Sequence, residues 1–399
     1  MTTPSISRRT QGLGTENAFE VLAEVNKLKR EGKDVVSFCI GQPDFGTPNH
    51  IREAAIEAIK AGKSGYTDSA GILEAREAVA RYFSRTRGIE VKAQDVVIAN
   101  GAKPFIGYAI ACATDPGIGD EVICPVPGYP IYQSQVVAHG ATAVGLPLSE
   151  EKKFSFDLDD LRARISPRTR LLILNTPHNP TGGVIGRSDL EEIGALAKKH
   201  DFWIYADEVY SQIIYDGKFE SIASVEGMYE RTILSDGASK SYAMPGWRLG
   251  FAANPSLAPH LARWVTNTES CANHMTQHAI IRALDGPHDD THAMVAEFKR
   301  RRDVMVRLLN EMDGVSCQMP AGAFYAYPNM NGALKKLNLR SAEQLRQMLL
   351  KEGVAVLADH HFGRREPGEK NHYIRLSYCT SMENIEKGLA RMKGVLGAK

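Results

Sequence analysis

A lysine and an arginine eight residues apart, Lys240 and Arg248, share the stretch SDGASKSYAMPGWRLGF (235–251). Lysines are mostly solvated surface residues. This one follows a β-like run, TILSDGA, and precedes Met244, Pro245, Gly246 and Trp247, which read as buried or tightly turned. A lysine amine is a nucleophile whose neutral form its site can populate. The planar fork of arginine suits two oxygens of a phosphate or carboxylate. Other chemistry-bearing residues stand in comparable places. Asn175 ends RLLILN, and Asp207 lies in WIYADEVY with Tyr210 three residues on. Gly101, Ala102 and Lys103 follow DVVIAN and open a helical stretch.

The elements that must position these groups are strand-like runs. There are seven: DVVIAN (95–100), EVICPV (121–126), TAVGLPL (142–148), RLLILN (170–175), WIYADEVY (203–210), TILSDG (232–237) and RLGFAA (248–253). Most are separated by helical patterns such as SDLEEIGALAKKH (188–200). IREAAIEAIKAG (51–62) and LEAREAVARYFSRT (73–86) precede them, the second stopping near Gly88. That alternation predicts an α/β fold, a mostly parallel seven-stranded sheet covered by helices on both faces. Ligands of such sheets sit beyond the carboxyl ends of the strands, so the residues above converge on one crevice.

After about residue 295 the texture changes. A long charged helix, HAMVAEFKRRRDVMVRLLNEM, leads to AGAFYAYPNM, another helix, GVAVLA and finally HYIRLSYCT. This order predicts a smaller α+β domain that the N-terminal residues join. The expected division is 48–295 for the large domain, with 1–47 and 296–399 for the small one.

The chain has 399 residues, enough for two cores. Its hydrophobic content of 43% and net charge of +1 describe a globular protein with no general pull toward nucleic acid or membrane. The basic run Lys299-Arg300-Arg301-Arg302 reads as a solvated helix face. Six scattered cysteines include no C-x-x-C pair, which argues against zinc or a redox dithiol. No metal is expected. Without an apolar signal core or a spanning run, a cytoplasmic setting is the expectation.

The motifs GQPDFGTP (41–48), SGYTDSAGILEAREAV (64–79), NGAKP (100–104), NPTGG (179–183), YADEVY (205–210), SKSYAMPGWRLGF (239–251) and YIRLSY (373–378) follow one another in a characteristic order. In this the chain resembles the class I aminotransferases of the fold-type I pyridoxal-phosphate enzymes, in their aspartate-aminotransferase-like bacterial branch. The resemblance covers essentially the whole chain. It implies that pyridoxal 5'-phosphate is the cofactor, an electron sink that the protein holds and tunes.

The resemblance also implies roles. Lys240 bonds the cofactor's aldehyde carbon and later carries the substrate's α-proton. Asp207 pairs with the pyridine nitrogen and keeps it protonated. Asn179 and Tyr210 hydrogen-bond the ring oxygen, and Tyr129 stacks on the ring. Arg248, Ser239 and the backbone N–H groups of Ala102 and Lys103 bind the phosphate. Tyr66 reaches the phosphate of a neighbouring subunit, which makes the enzyme a homodimer. Arg375 binds the substrate α-carboxylate, and the backbone at Gly41 closes over it. Substrates are small amino acids and 2-oxo acids.

Three features depart from the family's pattern. Gly237 stands where a serine is common, three residues before the lysine. The segment around Thr15 is unusual. The loop ADHHFGRREPGEKNHY (358–373) brings His360, His361, Arg364 and Arg365 near the expected substrate entrance. Lys103 is a candidate for a distal substrate carboxylate, and the histidines for a different substrate side chain. Three functions stay open. The first is a transaminase with an L-amino acid donor and an acceptor such as 2-oxoglutarate or pyruvate, working by a ping-pong mechanism. The others are a β-lyase or oxidative enzyme on the same scaffold, and a non-catalytic regulator with this fold.

Overall fold

The computed structural model describes residues 4–364 and 368–397. Its strands are β1 (Val36–Ser37), β2 (Val96–Ala99), β3 (Glu121–Val126), β4 (Thr142–Pro147), β5 (Thr169–Asn175), β6 (Trp203–Asp207), β7 (Thr232–Gly237), β8 (Gly250–Ala253), β9 (Tyr325–Ala326), β10 (Val354–Ala355), β11 (Leu357–Ala358) and β12 (Ile374–Ser377). All seven expected runs enter one sheet, in the order β2-β8-β7-β6-β5-β3-β4. Only β8 runs against its neighbours.

Both faces of this sheet are covered, which is why its central strands read as continuous apolar runs. Side chains still alternate between faces. Leu172, Leu174, Ile204, Leu234 and Phe251 enter one core, whereas Leu171, Ile173, Tyr205, Ile233 and Ala252 enter the other. WIYADEVY stops being a strand at Asp207. Beyond it the chain turns, Ser211 N–H donating to Glu208 C=O and Ile213 N–H to Tyr210 C=O. Asp207 is thereby held at the strand's carboxyl end, opposite Asn175 of β5.

The helices expected at 51–62, 73–86 and 188–200 form at Asn49–Lys60, Leu73–Arg87 and Arg187–His200. Gly88 ends the second with φ of 67°, a left-handed conformation that glycine adopts without a Cβ clash. Two small sheets lie outside the large one: β1 parallel to β10, and β11-β12-β9 antiparallel. The pairing Val36↔Val354 joins the N-terminal segment to the C-terminal part of the chain. No described helix is long and apolar enough to cross a membrane.

The basic run at 299–302 corrects one expectation. Arg301 and Arg302 are buried on the long helix Asp289–Asn310. Arg301 bonds Asp44 at 2.7 Å and Glu297 at 2.9 Å, tying the helix to the GQPDF loop. Arg302 bonds Asp216, Asp303 and the Pro320 carbonyl. Their charges come inside because each finds carboxylates there.

Beneath the strand ends lies a wholly buried ionic group. Arg87 donates from Nε to Glu208 at 2.9 Å and from Nη2 to Asp236 at 2.8 Å. Ser221 donates to Glu208, and Tyr82 and Ser211 donate to Asp236. Arg87→Met is expected to strand two buried carboxylates and cost about 3–5 kcal/mol of stability. A matching fall in the urea unfolding midpoint, measured by circular dichroism, checks this. An unchanged midpoint would refute it.

Candidate active site

Lys240 lies in the short helical turn Ala238–Ser241, immediately after β7. Its Nζ donates to the Gly41 carbonyl at 2.6 Å and stands 5.8 Å from the Phe324 ring centroid. Burial pushes this amine down to about 8, with Arg375 and Arg248 acting the same way and Cys379 and Glu16 opposing. An uncharged, nucleophilic amine is therefore accessible near neutral pH.

Asp207 is buried at the end of β6 and accepts from Tyr132 Oη at 2.7 Å. Burial raises its carboxyl to about 6, although Tyr132 and the Val209 amide favour the anion. Asn175 secures the neighbourhood. Its Nδ2 donates to the Asp207 carbonyl at 3.0 Å, and its Oδ1 accepts from the Asn179 amide at 2.9 Å. Tyr210 is also buried, its hydroxyl 2.9 Å from that of Tyr325.

Two arginines face neutral oxygens. Arg375, 4% exposed, donates from Nη1 to Asn179 Oδ1 at 2.9 Å and from Nη2 to the Cys39 carbonyl. Its guanidinium lies 4.4 Å from the Tyr325 ring centroid and 4.9 Å from that of Phe362. Its Nε has no hydrogen-bond partner, and no carboxylate pairs with the group among the described residues. A buried cation so placed calls for an anion. Arg248, exposed, bonds only the carbonyls of Pro245 (2.9 Å) and Asn100 (3.2 Å) among the described residues. A Cβ on Gly101 would come within 2.1 Å of Arg248 Nη2, and one on Gly250 within 2.1 Å of the Ala102 nitrogen. These glycines keep Arg248 packed against the start of the helix Lys103–Ala113, whose first N–H groups bind anions well. Ser239 lies in the same turn as Lys240, and Ala102 directly precedes that helix. At Gly237 a Cβ would lie 3.2 Å from the Leu249 carbonyl, so the missing serine leaves a tight backbone contact in its place.

Tyr129 packs edge-on against Tyr132, with ring centroids 5.6 Å apart. Gly41 lies against Tyr325 so closely that a Cβ would fall 1.8 Å from the hydroxyl. Tyr66 stands 90% exposed, away from this group within one chain. Thr15 is exposed too, and its neighbour Glu16 turns toward Lys103 instead. The histidine loop reaches this group. His361 is buried, accepts from the Ala358 amide and is lowered to about 4 by burial. His360 lies 3.9 Å from Glu343. Phe362 packs on Arg375, whose charge also acts on His361. Arg364 is exposed, and Arg365 lies outside the described residues.

Of the residues in this group, Glu16, Tyr325 and Phe362 escaped the sequence reading, and Tyr132 entered it only as a neighbour that could be confused with Tyr129. For two of them a signal existed. Tyr132 follows Tyr129 by one helical turn, and the tyrosine of AGAFYAY carries a hydroxyl that needs a buried partner.

This donor set fits pyridoxal phosphate. It offers an amine with depressed proton affinity, a buried carboxylate one strand away, and a glycine-lined anion cradle with an exposed arginine. The second, buried arginine has no carboxylate partner among the described residues.

Known proteins agree with that fit. The profile of the family described as aminotransferase class I and II matches residues 33–392. Aromatic-amino-acid aminotransferase 2 of Thermococcus litoralis is 39% identical over 92% of this chain and 92% of that protein. Aspartate aminotransferase of Pyrococcus abyssi is 38% identical over 92% of this chain and 93% of its own length. The solved structure of the aspartate aminotransferase from Thermus thermophilus with maleate superposes with a TM-score of 0.92 at 32% identity. That match covers 98% of this chain and 100% of the other.

Proposed function

The chain belongs to the class I and II aminotransferase family, and from that premise we propose how its own residues carry amino transfer. It is a pyridoxal-phosphate-dependent transaminase acting on small molecules. Bound pyridoxal phosphate supplies the electron sink at the substrate α-carbon. Lys240 Nζ would be its covalent anchor and the base that takes the α-proton. Asp207 holds the proton on the ring nitrogen. Asn179 and Tyr210 hold the ring oxygen, and Tyr129 fixes the ring plane. Arg248, Ser239 and the amides of Ala102 and Lys103 bind the phosphate. Arg375, with the backbone at Gly41, orients the α-carboxylate.

The observation that carries this reading is Arg375, buried beside neutral oxygens with a free Nε and close enough to Lys240 to depress its proton affinity. The donor is an L-amino acid, and the acceptor a 2-oxo acid such as 2-oxoglutarate or pyruvate, used in ping-pong order. Residues 48–295 form the cofactor-binding domain, while 1–47 and 296–399 form a smaller one that closes over substrate. The exposure of Tyr66 suits a cytoplasmic homodimer in which it reaches the phosphate site of a second copy.

The purified protein loaded with cofactor is tested against a panel of L-amino acids with either acceptor, and products are separated by chromatography. A new amino acid matching the acceptor supports transamination. Ammonia in its place points to a lyase, and no conversion of any donor rules out both.

The depressed Lys240 predicts a pH profile. Below about 8 the amine is protonated and cannot attack, whereas above it the neutral form prevails. The rate at which cofactor-free protein takes up pyridoxal phosphate should rise about tenfold per pH unit toward 8, then level off. Stopped-flow growth of the visible band reads this out. A plateau reached only near 10.5, the ordinary lysine value, contradicts it.

A further inference from the structure

Glu16 precedes the helix Asn17–Arg30, yet its side chain makes no capping bond there. Its Oε2 instead accepts from Lys103 Nζ at 2.8 Å and from Tyr129 Oη at 2.8 Å. Lys103 Nζ lies 5.6 Å from the Tyr129 ring centroid, so its charge is shared between a carboxylate and a π-face. The trio is one ring removed from Asp207, because Tyr129 packs on Tyr132 and Tyr132 bonds Asp207. The Glu16 charge also acts on Lys240 and on Tyr325, both of which feel Arg375. The trio therefore looks into the same crevice as the lysine and the buried arginine.

With the α-carboxylate on Arg375, a substrate side chain must project along the rest of this crevice. A free lysine there would attract a second carboxylate. Here that lysine is already neutralised, and an incoming carboxylate meets Glu16 as a like charge. We propose that Glu16, by occupying Lys103 and Tyr129, turns the side-chain end of the site away from dicarboxylic substrates and toward uncharged side chains. The proposal rests on the reading of Arg375 as the α-carboxylate site. It makes Glu16 a specificity-determining residue, and it reverses the expectation that Lys103 alone would recruit a distal carboxylate.

The test is a calorimetric titration of the cofactor-loaded protein with two probes, succinate and 3-phenylpropionate. Glu16→Gln keeps an accepting oxygen for Lys103 and Tyr129 but removes the charge. It should tighten succinate at least about tenfold while leaving 3-phenylpropionate within about twofold. The double variant Glu16→Gln, Lys103→Met should lose the succinate gain. Unchanged succinate affinity in Glu16→Gln, or equal tightening of both probes, overturns the proposal. Because the titration needs no turnover, it decides the role of Glu16 independently of the donor panel. A wild type that binds both probes but transfers no amino group defeats the transaminase reading alone.

Discussion

Lys240→Ala is expected to lower the rate of amino transfer by at least about 10⁴-fold. The variant should still bind pyridoxal phosphate, because Arg248, the Lys103–Ala113 helix start and Asp207 are untouched. The visible band of covalently held cofactor should be missing from it. The two effects would have one cause, since on the proposed reading the same Nζ anchors the cofactor and moves the α-proton. A small primary amine added to the variant should recover part of the rate, since it restores a base that can reach the α-carbon. Activity within tenfold of wild type would remove Lys240 from the chemistry. Gly41 loses the donor to its carbonyl in this variant, so circular dichroism on both proteins serves to compare their folds.

The second large effect is expected at Arg375. Arg375→Lys keeps the charge but loses the planar fork and one of the two anchoring bonds, to Asn179 or to the Cys39 carbonyl. A buried charge pair that loses its geometry costs about 2–5 kcal/mol. The corresponding fall in kcat/KM for α-amino acids is about thirty- to five-thousandfold. Amines that lack an α-carboxylate should be affected less than about threefold. Equal losses for both kinds of donor would make the residue merely structural.

The legible part of this molecule is the part written locally. Asn175, Asp207 and Lys240 could be placed because each ends or follows an apolar run, and a parallel sheet aligns such ends. The register Asn175↔Asp207 is the direct result. What stayed illegible depends on partners far apart in the chain. Tyr132 finds Asp207 across 75 residues, and Lys103 finds Glu16 across 87. Nothing near Arg301 announces that Asp44, 257 residues away, will draw it inside. A run of four basic residues looks solvated until its acids are known. The histidine loop is hard to read for the opposite reason. Its polar residues were conspicuous, but the apolar Phe362 carries the contact with Arg375.

The buried Arg87–Glu208–Asp236 group has a further consequence. Glu208 follows Asp207 directly, and Asp236 directly precedes Gly237 at the end of β7. One cation thus staples together the backbones that carry Asp207 and the turn of Lys240. Catalytic geometry and thermal endurance are inherited as a single trait here, and a mutation at Arg87 should damage both together. Glu16 and Lys103 are not part of that staple. For a laboratory lineage selected for new substrates, the productive route of change runs through the N-terminal segment and leaves the sheet's buried charges alone.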